Sequence, residues 1–99
     1  MTGSGSGDGR RRIAKLDGRQ RSKSAVLARL GRGLGVPAPI RNLDALYDVL
    51  RRDVRGPFTV AWRPGTAARA ALGDDYGRLR AVLEQVAAER DDVRLELDG

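Results

Sequence analysis

The chain has 99 residues, 40% of them hydrophobic, and carries a formal net charge of +6 without any cysteine or histidine. This length suits one domain, and the sequence contains neither a run of about eighteen apolar residues that could span a membrane nor an apolar N-terminal segment typical of a secretory signal. The missing residue types exclude disulfides and thiol chemistry, and they remove the commonest general base and zinc ligand.

The N-terminal residues are predicted to form a flexible tail. Residues 1–9 are rich in Gly and Ser, and the Arg-rich segment GRRR overlaps their end at Gly9 to Arg12. Such a composition cannot bury enough apolar surface to become ordered. We therefore predict a tail at residues 1–11 and a folded domain at residues 12–99.

The positive charge is concentrated in the first third of the chain. Residues 1–34 contain nine Lys or Arg and two Asp, a net charge of +7, whereas residues 35–99 contain ten Arg and eleven acidic residues, a net charge of −1. Such a basic segment can bind the phosphates of nucleic acids, although no aromatic residue accompanies GRRR to stack on bases. Nucleic-acid binding is therefore kept as an alternative.

Strand and helix patterns alternate along the rest of the sequence. The predicted elements are a strand at Arg12–Leu16, a helix capped by Ser24, a helix from Asn42 to the Gly56-Pro57 stop, a strand at Phe58–Trp62, a short helix at Ala67–Leu72 capped by Thr66, a longer helix capped by Asp74 or Asp75, and a strand at Val93–Leu97. Because helices separate successive strands, the order predicts a parallel sheet. The nearly continuous apolar character of Phe58–Trp62 predicts a central strand, with Trp62 in the core.

The helix that follows Asn42 carries two aspartates on a helical repeat. Asp44 and Asp48 lie four residues apart, and like charges at this spacing destabilise a helix by roughly 0.2–0.5 kcal/mol. One interpretation is structural, because Asp44 can favour the helix dipole and Asp48 can pair with Arg51 or Arg52. The other is that both carboxylates serve a partner. Tyr47 lies on the apolar face of this helix and is predicted to pack.

The segment NLDALYDVL, followed by GPFTVAWR, resembles the barstar family of ribonuclease inhibitors. The family pattern is Asn-Leu-Asp-Ala-Leu, an aromatic residue and Asp, which here begins at Asn42, with Pro57 and Trp62 at the family's spacing downstream. The resemblance covers roughly residues 12–97. It implies an α/β fold of two layers, in which a three-stranded parallel sheet packs with about four helices.

The resemblance also implies a function and a set of contact residues. In the family, the second helix and the loop before it enter the cleft of a ribonuclease. The residues implied to contact the partner are Asp44 and Asp48, with Asn42 and Ala45 beside them, Val54 at the rim, and Gln85 or the adjacent Glu84 on the last helix. Gln85 stands where the family has an acidic residue, and the loop Ala38-Pro39-Ile40-Arg41 lacks the family's aromatic residue.

These observations predict a cytoplasmic immunity protein that binds a ribonuclease of the extracellular or toxin type. It is expected to be monomeric when free, to bind no membrane and to need no cofactor or metal. Catalysis is not expected, because the chain has no Cys, no His and no Ser in a nucleophile-like setting. The alternative is a barstar-fold module that binds another protein, or nucleic acid through its basic first third, without inhibiting a nuclease.

Overall fold

A computed structural model describes residues 12–97 of the chain, so the tail predicted at residues 1–11 lies outside the described residues. The elements in chain order are β1 (Arg12–Leu16), α1 (Lys23–Leu34), α2 (Leu43–Asp48), a π-helical turn (Val49–Asp53), β2 (Phe58–Trp62), α3 (Gly65–Leu72), α4 (Asp74–Glu89) and β3 (Val93–Leu97). Within the described range, no helix combines the length and apolar character that crossing a membrane requires.

The three strands form one parallel sheet in the order β1-β2-β3. Arg12 pairs with Phe58 and Phe58 pairs with Val93, so the strands are in register at their first residues. The predicted α/β class, the parallel connections and the central position of β2 are confirmed. All three strands also begin and end where the sequence pattern placed them.

One face of the sheet forms the core with the helices. The inward strand side chains of β2 are buried, whereas Leu95 and Leu97 of β3 are only partly buried. Apolar residues of α1, α2 and α4 complete the core. Trp62 is fully buried, as predicted, and its ring centroid lies 5.0 Å from that of Tyr76. The other face, which we term the open sheet face, is formed by Ile13, Lys15, Thr59, Ala61, Arg94 and Glu96, of which Thr59 is buried.

Three predicted helix caps are wrong. Ser22 caps α1, because its backbone is extended and its Oγ accepts a hydrogen bond from the Ala25 amide at 3.2 Å, whereas Ser24 lies within the first turn. Thr66 also lies inside its helix, since α3 begins at Gly65 directly after Pro64. Neither Asp74 nor Asp75 caps α4, which follows Gly73 without a side-chain cap, and both lie in its first turn.

The glycines near the end of α1 serve packing and termination. The helix continues to Leu34, and a Cβ atom on Gly33 would lie only 3.0 Å from the Cβ of Ala14, so glycine lets α1 approach β1 closely. Gly35 then adopts a left-handed φ of 73°. This conformation turns the chain so that the Val36 amide donates to the Gly31 carbonyl at 2.8 Å, which satisfies a terminal carbonyl of the helix.

Candidate partner-binding site

The start of α2 is fixed by the side chain of Asn42. Its backbone is extended, with φ −154° and ψ 177°, and its Oδ1 accepts a hydrogen bond from the Ala45 amide at 2.7 Å. Capping of this kind satisfies an amide that would otherwise have no partner in the helix. The predicted cap is confirmed, and Asn42 therefore sets the position from which the next turn of the helix projects its side chains.

Both aspartates of α2 are exposed. Leu46 and Leu50 are fully buried, which orients the helix so that Asp44 and Asp48 face away from the core. Among residues 12–97, neither carboxylate forms an ion pair. The pairing of Asp48 with Arg51 or Arg52 that the sequence allowed is thus not formed.

A shallow groove joins these aspartates to the last helix. It is lined by Leu43, Asp44, Tyr47 and Asp48 of α2 and by Val82 and Gln85 of α4, and its volume is about 500 Å³. The fold therefore brings Gln85 beside the two carboxylates, although it lies far from them in the sequence. The groove is mixed in character, and its carboxylate and amide oxygens can accept hydrogen bonds from a cationic side chain.

The other residues implied to contact a partner occupy different environments. Ala45 is half-buried on α2. Glu84 is exposed but does not line the groove, and its carboxylate pairs with Arg80 at 3.2 Å. Val54 is only 5% exposed and packs in the core, while it also lines a pocket beside the loop before α2 that is separate from the groove, so its contact with a partner stays a prediction. The hydrophobic free energy gained by burying Val54 accounts for this inward position.

Sequence reasoning missed Glu89, which lies one turn after Gln85 on α4. Its carboxylate accepts hydrogen bonds from the Tyr47 hydroxyl and from Nε2 of Gln85 at 3.2 Å, and it pairs with Nε of Arg51 at 3.3 Å. The helical repeat places Glu89 on the same side of α4 as Gln85. Only the packing of α4 against α2 reveals Tyr47 and Arg51 as its partners.

These contacts shift two pKa values in opposite directions. The hydrogen bond from Tyr47, followed by the one from Gln85, lowers the pKa of Glu89, because both donors favour the charged carboxylate. The hydrogen bond to Glu89, followed by desolvation, raises the pKa of Tyr47. Tyr47 also packs partly against the core, in accordance with the prediction.

The loop before α2 is short and carries a positive charge. Pro37, Ala38 and Pro39 are exposed, and Ile40, only 7% exposed, anchors the loop in the core. Arg41 follows and is exposed immediately before the cap residue. Arg41 therefore places a positive charge close in sequence to Asp44, although it lines a pocket next to α1 and not the groove itself.

The strands, the helices and the groove all lie in a part of the chain that resembles a known protein family. A family model described as "Barstar (barnase inhibitor)" matches residues 11–98. The matched range contains every strand and helix of the described structure and all the residues that line the groove. No curated protein matches the chain.

Proposed function

The chain belongs to the barstar family, and from this membership we propose that it is a protein inhibitor of a ribonuclease. Helix α2 and the loop before it enter the active-site cleft of the enzyme and block access to RNA. The observation that carries the proposal is the pair of exposed carboxylates, Asp44 and Asp48, one turn apart on a capped helix and without an ion pair in residues 12–97.

The chemistry of a ribonuclease cleft explains why such a pair would bind. The cleft must hold phosphates, so it is lined with Arg and Lys, and carboxylates can occupy the same positions as phosphates. Pairs between arginine and carboxylate are often bidentate and geometrically specific. Because Asn42 and the buried face of α2 hold the helix backbone in place, only the two short aspartate side chains themselves need to be ordered on binding.

The same reasoning describes the kind of partner and the setting. The partner is a ribonuclease of the extracellular or toxin type, whose activity would harm the cell that makes it. The inhibitor then acts as a cytoplasmic immunity protein, and it requires neither catalysis nor a cofactor. Gln85 contributes an amide to the groove where a carboxylate is usual in the family, so the proposed target is a relative of barnase with fewer cations at this position.

The test is inhibition of RNA cleavage by a panel of secreted and toxin ribonucleases that includes barnase and any nuclease encoded beside this protein. At least one enzyme should lose activity at a 1:1 molar ratio. Asp48→Ala should then weaken binding by about 2–5 kcal/mol, because the partner's cation is left without its carboxylate in the interface. The matched control is Glu96→Ala, which removes the same charge from the open sheet face and should leave inhibition unchanged.

A different pattern of results would support the alternative function. If no ribonuclease is inhibited and the chain instead binds RNA or DNA, the affinity should fall steeply with salt. Deleting residues 1–11 should then reduce binding, whereas Asp48→Ala should leave it unaffected. For an inhibitor, Asp48→Ala should weaken binding and deletion of residues 1–11 should have little effect.

A further inference from the structure

The position of Arg51 is the starting observation. It lies three residues after Asp48, a spacing at which opposite charges on a helix attract each other. Instead its Nε pairs with Glu89 at 3.3 Å, and its guanidinium lies 5.8 Å from the ring centroid of Tyr47. A positive side chain next to the exposed carboxylate of Asp48 is therefore directed away from it.

The carboxylate of Glu89 is well suited to hold Arg51 in this position. Its Oε1 accepts the hydroxyl of Tyr47 and faces Arg51, and its Oε2 accepts the amide of Gln85. With both oxygens occupied by donors from two helices, the carboxylate has little rotational freedom. The lowered pKa of Glu89 is consistent with a group that is charged at neutral pH.

We propose that Glu89 is a positioning residue that holds Arg51 away from Asp48 and thereby keeps the Asp48 carboxylate available to a cation of the partner. The inference rests on the proposed function in so far as it concerns binding. Without Glu89, we expect Arg51 to pair instead with Asp48, which lies three residues before it in the chain. A partner's guanidinium must then displace an internal one before it can bind.

The first experiment needs no nuclease. Hydrogen exchange of the Arg51 Nε–H is measured by NMR in the full chain and in Glu89→Gln, each with and without Asp48→Ala. In the native background, protection of this proton should not depend on Asp48. In Glu89→Gln it should depend on Asp48, because the ion pair has moved there. Protection that is independent of Asp48 in both backgrounds overturns the proposal.

The second experiment measures binding to a ribonuclease that the native chain inhibits. Glu89→Gln should weaken binding by about two- to fivefold, the effect of a surface ion pair that must be broken first. Adding Arg51→Ala to this variant should restore binding, because the competing cation is gone. Asp75→Asn is the control, since it removes the same charge from α4 next to Arg78, at 3.7 Å, and should not change the affinity.

The two experiments separate the possible failures. If Glu89→Gln with Arg51→Ala binds as weakly as Glu89→Gln alone, Glu89 contacts the partner directly and the positioning role is wrong. If no ribonuclease is inhibited by the native chain, the proposed function fails, but the exchange measurement still decides whether Glu89 controls the position of Arg51.

Discussion

At the scale of single residues, Asn42 links the stability of α2 to the geometry of the groove. Its side chain accepts the Ala45 amide, while its carbonyl accepts the Leu46 amide at 3.0 Å. Asn42→Ala removes the first of these bonds and should lower the free energy of unfolding by about 1 kcal/mol. Urea titration measures this loss. Asn42→Asp retains an acceptor at the same position and should preserve most of the stability.

The network around Glu89 predicts a pH dependence of stability. Because folding lowers the pKa of Glu89 below its ordinary value of 4.5, its contribution to stability is fully present above that value and is lost as the pH falls through the folded pKa. The native chain should therefore be more stable than Glu89→Gln at pH 7, and the difference should shrink in acid. Urea titrations of both proteins from pH 7 to pH 3 measure this, and a constant difference contradicts it.

Tyr47 predicts a loss of stability at high pH. Its pKa is raised above 10.0, so the stability that it contributes is present below that value and is lost as the pH rises through the folded pKa. Tyr47→Phe removes the hydroxyl that lowers the pKa of Glu89. We expect the carboxylate of Glu89 to titrate at higher pH in this variant, as followed by the NMR shift of its side-chain carboxyl carbon.

At the scale of secondary structure, the strands could be predicted from the sequence more accurately than the helix caps. Phe58–Trp62 is bounded by turn residues and consists of residues that favour strands, so local and tertiary preferences agree there. Ser22 and Ser24 are equally suitable caps from composition alone, and only the tertiary position of the turn selects Ser22. The π-helical turn at Val49–Asp53 likewise leaves no pattern in the sequence.

Arg90 stabilises the end of that turn. Its Nη1 donates to the carbonyls of Leu50 at 2.6 Å and Val54 at 2.8 Å, and its Nη2 pairs with Asp92 at 2.8 Å. Arg90→Ala would leave these partly buried carbonyls without their donor and should lower the free energy of unfolding by about 1.5–3 kcal/mol. Chemical denaturation measures the loss, and Arg94→Ala on the open sheet face, which should have little effect, is the control.

Replacing glycine by alanine should change stability in opposite directions at two helical positions, because Gly33 of α1 packs closely against β1 and Gly77 of α4 does not. Gly33→Ala places a methyl group 3.0 Å from the Cβ of Ala14 and should destabilise the protein by about 1–3 kcal/mol. Gly77→Ala adds the same methyl group to α4, where nothing lies within 4 Å, and should stabilise the protein by about 0.4–1 kcal/mol. Thermal unfolding measures both effects. An equal change in melting temperature for the two variants would contradict the close contact between Gly33 and Ala14.

At the scale of the whole molecule, the distribution of charge should govern how the chain approaches the proposed ribonuclease. The first third of the chain is strongly basic, and its described part forms β1 and α1, whereas the exposed carboxylate pair lies on α2. Both the excess of positive charge in the first third and the positions of Asp44 and Asp48 can be recognised from the sequence. The sequence does not reveal that Arg51 is withdrawn from Asp48, since that depends on a contact between two helices distant in the chain. The ion pair between Arg51 and Glu89 therefore determines whether the negative charge of Asp48 is available to a partner.

Arg41 is the cation placed to oppose a basic cleft, because it is exposed immediately before the capped helix. Two unit charges about 10 Å apart in water interact by roughly 0.4 kcal/mol, so Arg41→Gln should raise the association rate with a cationic nuclease by about twofold at low ionic strength. Stopped-flow measurements should show the gain vanishing near 1 M salt, where the Debye length is about 3 Å. Lys15→Gln, on the open sheet face, is the matched control. An equal gain from Lys15→Gln would mean that net charge alone governs the encounter, whereas a gain confined to Arg41 would identify the loop before α2 as the part of the surface that approaches the cleft.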